Sequence, residues 1–370
     1  MGRLSTCDTG VGDRCARGFP GDQQHEARRA ATLNVTFYGV RGSTPSCEMG
    51  VQRYGGNTSC VVLERPGVAP IILDLGTGLR FFGRTHDHTT PFEGTALVSH
   101  LHWDHVQGLP FFSPVLAEGA RLEIVAPATD HEGGGLDADS AIRTFLGPPF
   151  FPVSLDALRG DITVRSTPEG SFSVGDARVT SAEVPHCGRT LGYRIDVAGM
   201  SIGYVPDHQQ PGPDATEVAP GVLELVRDVD LLIHDAQFDA ADFAAKSDWG
   251  HCTVEYAVHV AAQAGARRLA LFHHDPSHDD ESIDALTAAA RLLGNELGVE
   301  ETFAAAEGLT VAMEAPKPVE TAPRPVDAAA PTLLIDGFVA AGRNQELAQG
   351  QVDALAILCR VGVRQVLGAL

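Results

Sequence analysis

Six consecutive residues, His100-Leu101-His102-Trp103-Asp104-His105, carry four side chains able to bind a metal cation. They follow a strand-like run, Thr95-Ala96-Leu97-Val98-Ser99. Alternation in an extended segment sends His100 and His102 to the same side, where both imidazoles can reach one cation. If the chain then turns into a helix, Asp104 and His105 point toward a second cation. Two metals about 3.5–4 Å apart activate water and clamp a phosphoryl group. A chance cluster of surface histidines is the plain alternative, but a strand has little structural reason to end in so dense a set of ligands.

A dinuclear site needs more donors, and three later segments offer them at the ends of apolar runs: Val184-Pro185-His186, Gly203-Tyr204-Val205-Pro206-Asp207, and Leu269-Ala270-Leu271-Phe272-His273-His274. The resulting assignment places His100, His102 and His186 on one metal and Asp104, His105 and His273 on the other. Asp207 bridges the two. His274 competes with His273, which is preferred because it directly follows the strand. Mixed imidazole and carboxylate ligands suit two divalent ions, Zn²⁺ first, with Mn²⁺ or Fe as alternatives.

These donors need a frame. The 370 residues allow one large domain or two ordinary ones, and 44% apolar with 20% charged content is that of a globular protein. No stretch approaches the roughly 18 uncharged apolar residues that span a bilayer, so no membrane is expected as a partner. The first residues are rich in Gly, Asp and Arg and lack a secretory apolar region, which points to a cytoplasmic location. Seven cysteines, an odd number with no C-x-x-C pair, fit a reducing compartment. The net charge of −21, with no basic run longer than Arg28-Arg29 and Arg267-Arg268, opposes an extended nucleic-acid face and favours a small anionic substrate.

From Leu33 onward, short apolar runs alternate with turn residues. The pattern predicts strands at 33–40, 59–64, 71–75, 96–99, 121–126, 178–184, 192–197, 201–205, 231–234 and 268–272. Helices are predicted at 138–146, 220–228, 254–264 (with Thr253 as N-cap) and 282–293. Two packed sheets with helices outside, an α/β (α+β) class, follow from this order. Residues 1–32 read as a flexible leader, 314–332 as a Pro/Ala-rich linker, and 333–370 as a tail with rough helical spacing. The tail could dock on the domain or on a second copy, which leaves a homodimer open.

The pattern H-x-H-x-D-H followed by His186, Asp207 and His273 resembles the metallo-β-lactamase superfamily, an αββα sandwich with metals at one sheet edge. The resemblance covers residues 33–313. Gly39-Val40-Arg41-Gly42-Ser43, Gly55-Gly56-Asn57-Thr58-Ser59 and Leu73-Asp74-Leu75-Gly76-Thr77-Gly78 are similar to the opening segments of its phosphodiesterase branch, which includes ribonuclease Z and cyclic-phosphate phosphodiesterases. The resemblance implies that Asp74 packs behind the metal ligands, and Asn57 and His234 are placed there with it. An Asp before Leu-Gly is also an ordinary turn residue.

Leu232-Ile233-His234-Asp235-Ala236 and Gly250-His251-Cys252-Thr253 resemble two further motifs of ribonuclease Z-like enzymes, with Asp in place of Glu and Cys252 in place of Ser. By that resemblance Asp235 orients His251, which contacts the scissile phosphate and protonates the leaving oxygen. Asp104 is counted with them as catalytic as well as ligating. A helix-capping histidine without chemistry is the alternative for His251. His86-Asp87-His88 echoes the main motif but has no strand before it and reads as an exposed loop.

The expected activity is therefore metal-dependent hydrolysis of a small, cyclic phosphodiester by an activated water. Hydrolysis of a carbon ester, lactone or thioester on the same fold is one alternative. Processing of tRNA 3′ ends is another, disfavoured because residues 187–206 leave no room for the substrate-gripping arm of ribonuclease Z. A non-catalytic ligand sensor is the third.

Overall fold

Short runs rich in Val, Ile and Leu, too short for stable helices, assemble here into two seven-stranded sheets. The computed structural model describes residues 32–129, 134–167 and 169–315. Most of the expected leader and linker, and all of the tail, lie outside the described residues.

The first sheet takes β1 (Thr32–Gly39), β2 (Cys60–Glu64), β3 (Ile71–Leu73), β4 (Glu93–Leu97), β5 (Arg121–Ala126), β6 (Asp161–Ser166) and β14 (Thr310–Glu314), in the order β14-β1-β2-β3-β4-β5-β6. The second takes β7 (Gly170–Val174), β8 (Ala177–Glu183), β9 (Leu191–Val197), β10 (Met200–Val205), β11 (Leu231–Asp235), β12 (Arg268–Phe272) and β13 (Glu301–Ala304), from β13 to β7 in reverse order. Each sheet is mixed. Pairing is parallel from β3 to β6 and from β10 to β13, and antiparallel elsewhere.

The helices are α1 (Leu79–Thr85), α2 (Trp103–Val106), α3 (Ala138–Phe145), α4 (Pro220–Leu225), α5 (Ala240–Lys246), α6 (Val254–Ala264) and α7 (Asp280–Leu297). Thr253 caps α6 by accepting from the Tyr256 amide, and Gly265 ends it in the left-handed region. One apolar layer, including Val35, Phe37, Tyr193, Ile195, Tyr204 and Phe272, lies between the sheets. Two further clusters pack the outer sheet faces against the helices. The result is the expected αββα sandwich.

Parallel pairing decides where the functional groups emerge. Leu73 pairs with Leu97, so Asp74 leaves β3 beside the segment that carries Ser99 and His100 out of β4. Val205 pairs with His234 and Asp235 with Phe272, so Asp207, Asp235 and His273 leave neighbouring strand ends together. The carboxyl ends of parallel strands form the edge where such sheets place their ligands. Among the described residues no helix is long and apolar enough to cross a membrane.

Candidate metal centre

The turn from strand to helix predicted for the hexapeptide is present, compressed into one helical turn. His102 stays extended (φ −65°, ψ 152°), and α2 begins at Trp103 and buries Asp104 and His105. Two donor clusters result. In the first, the His102 Nδ1 atom lies 2.9 Å from His100 Nε2 and 3.3 Å from His186 Nε2. In the second, His105 Nε2 and His273 Nε2 are 3.2 Å apart, and each is 3.2 Å from Asp104 Oδ2. Asp207 spans both. Its Oδ1 is 3.1 Å from His105 Nε2 and 3.5 Å from His273 Nε2, whereas its Oδ2 is 3.8 Å from His100 and 3.6 Å from His186.

Neighbouring groups decide which nitrogen of each ring is free. His105 Nδ1 donates to Asp74 Oδ2 at 2.7 Å, and His273 Nδ1 donates to Gln237 Oε1 at 2.9 Å. His186 Nδ1 donates to the Gly250 carbonyl at 2.6 Å. In neutral rings each Nε2 then carries a lone pair aimed at the cluster. Lone pairs and a carboxylate oxygen at such separations repel one another unless a cation lies among them. The buried Asp207 Oδ1 also has no hydrogen-bond partner. Donor types, lone-pair directions and the bridging carboxylate therefore fit two divalent ions.

The charge states agree with that fit. Burial, strongest at His100 and assisted by neighbouring imidazoles, lowers the pKa of His100, His102 and His186 and keeps them neutral. Burial would raise Asp104 and Asp207, but the surrounding histidines outweigh it and hold both well below the usual carboxylate range. At His105 burial is overcome by Asp104, Asp207 and Asp74, which push its pKa well above normal. A pocket that draws a proton this strongly will also draw a divalent cation.

His251 sits over both clusters, its ring centroid 5.3 Å from that of His186 and 5.0 Å from that of His273. Its Nδ1 is 3.1 Å from Asp235 Oδ2. Asp235 is pinned in turn by the His208 and Gln237 amides, at 3.0 Å each. Burial opposes charge on His251, but Asp235 and then Asp207 outweigh it and raise its pKa above 6.5. His251 also comes within ligand reach of His186 and Asp207. A cleft of about 490 Å³ lined by Ser43, His102, Trp103, Asp104, His186, Asp207, Trp249 and His251 opens this centre to solvent.

The sequence model of the beta-lactamase superfamily domain matches residues 72–274. The chain belongs to the metallo-β-lactamase superfamily. Within the superfamily it is similar to the ribonuclease Z of Natronomonas pharaonis, with 29% identity over 313 residues that cover 68% of this chain and 92% of that one. Among solved structures it is similar in fold to the metallo-beta-lactamase fold protein YhfI of Bacillus subtilis (TM-score 0.56, 18% identity, 76% of this chain and 100% of that one). It is also similar in fold to a diphosphatase from the PhnP family (TM-score 0.53, 15% identity, 76% and 98%). The ribonuclease Z relatives speak against the expectation that an extended nucleic acid is excluded.

Not every residue expected at the superfamily centre is brought to it. Asp74 lies behind the ligands, in the left-handed region at φ +60°, accepting from the Ser99 amide and hydroxyl, His105 and Tyr204 Oη. Asn57 instead turns its amide to Glu307, at 2.9 Å, and its carbonyl to the Val40 and Arg41 amides. His234 faces its own Asp235 carbonyl and pairs with His208 at 3.0 Å, outside both clusters. His274 Nε2 donates to the Ala305 carbonyl, away from the ligands. His86 lies in an exposed loop, bonded to the Thr90 carbonyl.

Sequence reasoning missed Gln237, Tyr204 and Ser43, whose amide donates to Asp104 Oδ2 at 2.8 Å. Gln237 lies two residues after Asp235, and Ser43 closes the Gly-Val-Arg-Gly-Ser segment, so position offered a weak signal for both. Tyr204 reads as a core aromatic. Two glycines make room for ligands. A Cβ on Gly250 (φ +97°) would lie 2.4 Å from His186 Nδ1, and one on Gly42 would lie 2.5 Å from both His273 Nδ1 and Gln237 Oε1.

Proposed function

We propose that this chain is a metal-dependent phosphodiesterase acting on a small phosphodiester. The observation that carries the reading is the Asp235–His251 pair set over two joined donor clusters. His100, His102 and His186 would hold one cation, Asp104, His105 and His273 the other, with Asp207 shared. When bound, the cations would supply Lewis acidity that lowers the pKa of water and offsets phosphoryl charge.

The protein's own groups do the rest. Asp74, Gln237 and the Gly250 carbonyl hold three imidazoles in the tautomer that leaves Nε2 free, and the Ser43 amide orients Asp104. Asp235 holds the His251 ring and, against burial, favours its protonated form. A charged imidazole so placed can give its proton to a departing oxygen, a contribution of about 10²–10⁴ in rate.

The test is to compare turnover of bis(p-nitrophenyl) phosphate and cyclic nucleotides with that of thioesters and lactones, alongside metal analysis. Phosphodiester turnover with two metals per chain is expected. Turnover of thioesters or lactones alone would overturn the reading.

A second reading, ribonuclease Z-like cleavage of RNA, is favoured by the relatives named above. Against it, β9 and β10 join through Ala198 and Gly199, leaving no inserted arm between His186 and Asp207. The charge of −21 also opposes a long polyanion. Cleavage of a tRNA precursor at rates exceeding those on cyclic nucleotides would favour the second reading.

A further inference from the structure

The chain has only two tryptophans, Trp103 and Trp249, and both line the mouth of the metal cleft. Neither is a core residue: Trp103 is 71% exposed and Trp249 57%. Each is tied to backbone that carries the chemistry. Trp103 lies between His102 and Asp104 at the start of α2. Trp249 precedes Gly250, whose carbonyl accepts from His186, and its own amide donates to Lys246 O at 3.0 Å. The Lys246 ammonium lies 5.7 Å from the centroid of the Trp249 ring and is itself held by Asp275 and Asp242. The two exposed indoles thus border the cleft that also holds His102, Asp104, His186 and Asp207, so a substrate whose phosphorus reaches these donors passes beside them.

We propose that Trp103 and Trp249 form an aromatic platform that selects phosphodiesters bearing a planar aromatic group, of which a nucleobase is the biological kind. The proposal rests on the phosphodiesterase reading and narrows it, because a cyclic sugar phosphate without a base would leave both indoles uncovered. Bases stack on aromatic side chains whatever their hydrogen-bonding edge, so the platform grips base-bearing substrates without reading sequence. An aliphatic group has a different place to go. Trp103 also borders a second recess of about 630 Å³ whose wall includes Phe111, Phe145, Phe150 and Phe151. Filling that recess by an alkyl chain is the competing outcome.

The experiment follows indole fluorescence, excited at the red edge of the band, in the full chain. Probes are adenosine 5′-monophosphate, ribose 5-phosphate and cyclohexyl phosphate. Saturable quenching by the nucleotide is expected, with ribose 5-phosphate and cyclohexyl phosphate binding at least about tenfold more weakly, the scale of one base–aromatic stack. Trp103→Leu and Trp249→Leu should each weaken nucleotide binding about tenfold, and Phe at the same position should restore part of it. Metal affinity, measured by chelator competition, should not move in the Trp249 variants.

Equal affinity for nucleotide and ribose phosphate, tighter binding of cyclohexyl phosphate, or nucleotide binding unaltered in both Leu variants would each overturn the platform. Because the readout is binding of a product-like ligand, it separates from the activity reading. A chain that stacks the nucleotide yet hydrolyses no phosphodiester refutes the activity alone. One that hydrolyses base-free and base-bearing diesters alike refutes the platform alone.

Discussion

Gly42→Ala offers a direct test of whether packing behind His273 sets the second cation site. Gly42 is not in the left-handed region, so alanine meets no backbone strain. Its new Cβ would lie 2.5 Å from His273 Nδ1 and from Gln237 Oε1, and 2.6 Å from His273 Cε1. Ordinary contact begins at about 3.4 Å, so the imidazole or its amide partner must retreat by about 1 Å. Either movement breaks the 2.9 Å hydrogen bond that frees Nε2, or swings Nε2 away from Asp104 and His105.

Loss of such a supporting hydrogen bond costs about 10–100-fold in metal affinity, or roughly 1.4–2.7 kcal/mol. A displacement of that size at a reacting centre costs about 10²-fold in turnover. Metal stoichiometry and chelator-competition constants should show one site weakened and the other retained. Overpacking this buried site should also lower metal-free stability by about 1–3 kcal/mol in chelator, so affinities are compared where both proteins remain folded. Gly212→Ala, where a Cβ meets nothing within 4 Å, is the matched control. Two metals held at the parent's affinity in Gly42→Ala, with turnover intact, would refute the reasoning.

Three further outcomes are expected. His251→Ala should keep both metals and lose about 10²–10⁴ in kcat on an unactivated phosphodiester; full activity would remove the ring from the mechanism. Asp74→Asn withdraws an acceptor shared by Ser99, His105 and Tyr204, and should cost about 10–100-fold in metal affinity together with about 1–3 kcal/mol of stability in urea unfolding.

The third concerns His274, whose pKa burial lowers from 6.5 to about 3. As pH falls below 6.5 the unfolded chain takes up a proton that the native chain refuses. Stability is thus lost on acidification, by up to about 1.4 kcal/mol per pH unit, across the window between 6.5 and about 3. His274→Gln should remove that share of the slope; parallel stability profiles for the two proteins would contradict it.

The parts of this molecule legible in the sequence are those where residue type and position agree. β5 and β12 were predicted with their observed bounds because each is a compact apolar run between turn residues. β6 and β7 escape notice although both alternate, because each offers only two apolar residues, Ile162 and Val164 in one and Phe172 and Val174 in the other, too few to stand out in a polar surrounding. β13, with four residues, is too short to show a period, and α2 is a single turn. Within the centre, donors crowded at strand ends can be found by their chemistry. Tyr204 cannot, because its hydroxyl meets Asp74 across 130 residues and both sheets must be packed before the bond exists. Asn57 shows the converse: a motif neighbour whose amide is used to fasten Glu307.

The division of donors between the sheets has a consequence for how the protein is made. His100 to His105 follow a strand of the first sheet, whereas His186, Asp207 and His273 come from the second, and His105 and His273 are separated by 168 residues. A chain emerging from the ribosome offers the hexapeptide early but cannot close either cluster until the second sheet has docked. Cations met during synthesis find only a partial, exchangeable ligand set. Selection of the metal is thereby postponed to the folded state, where geometry rather than order of encounter decides which ion stays.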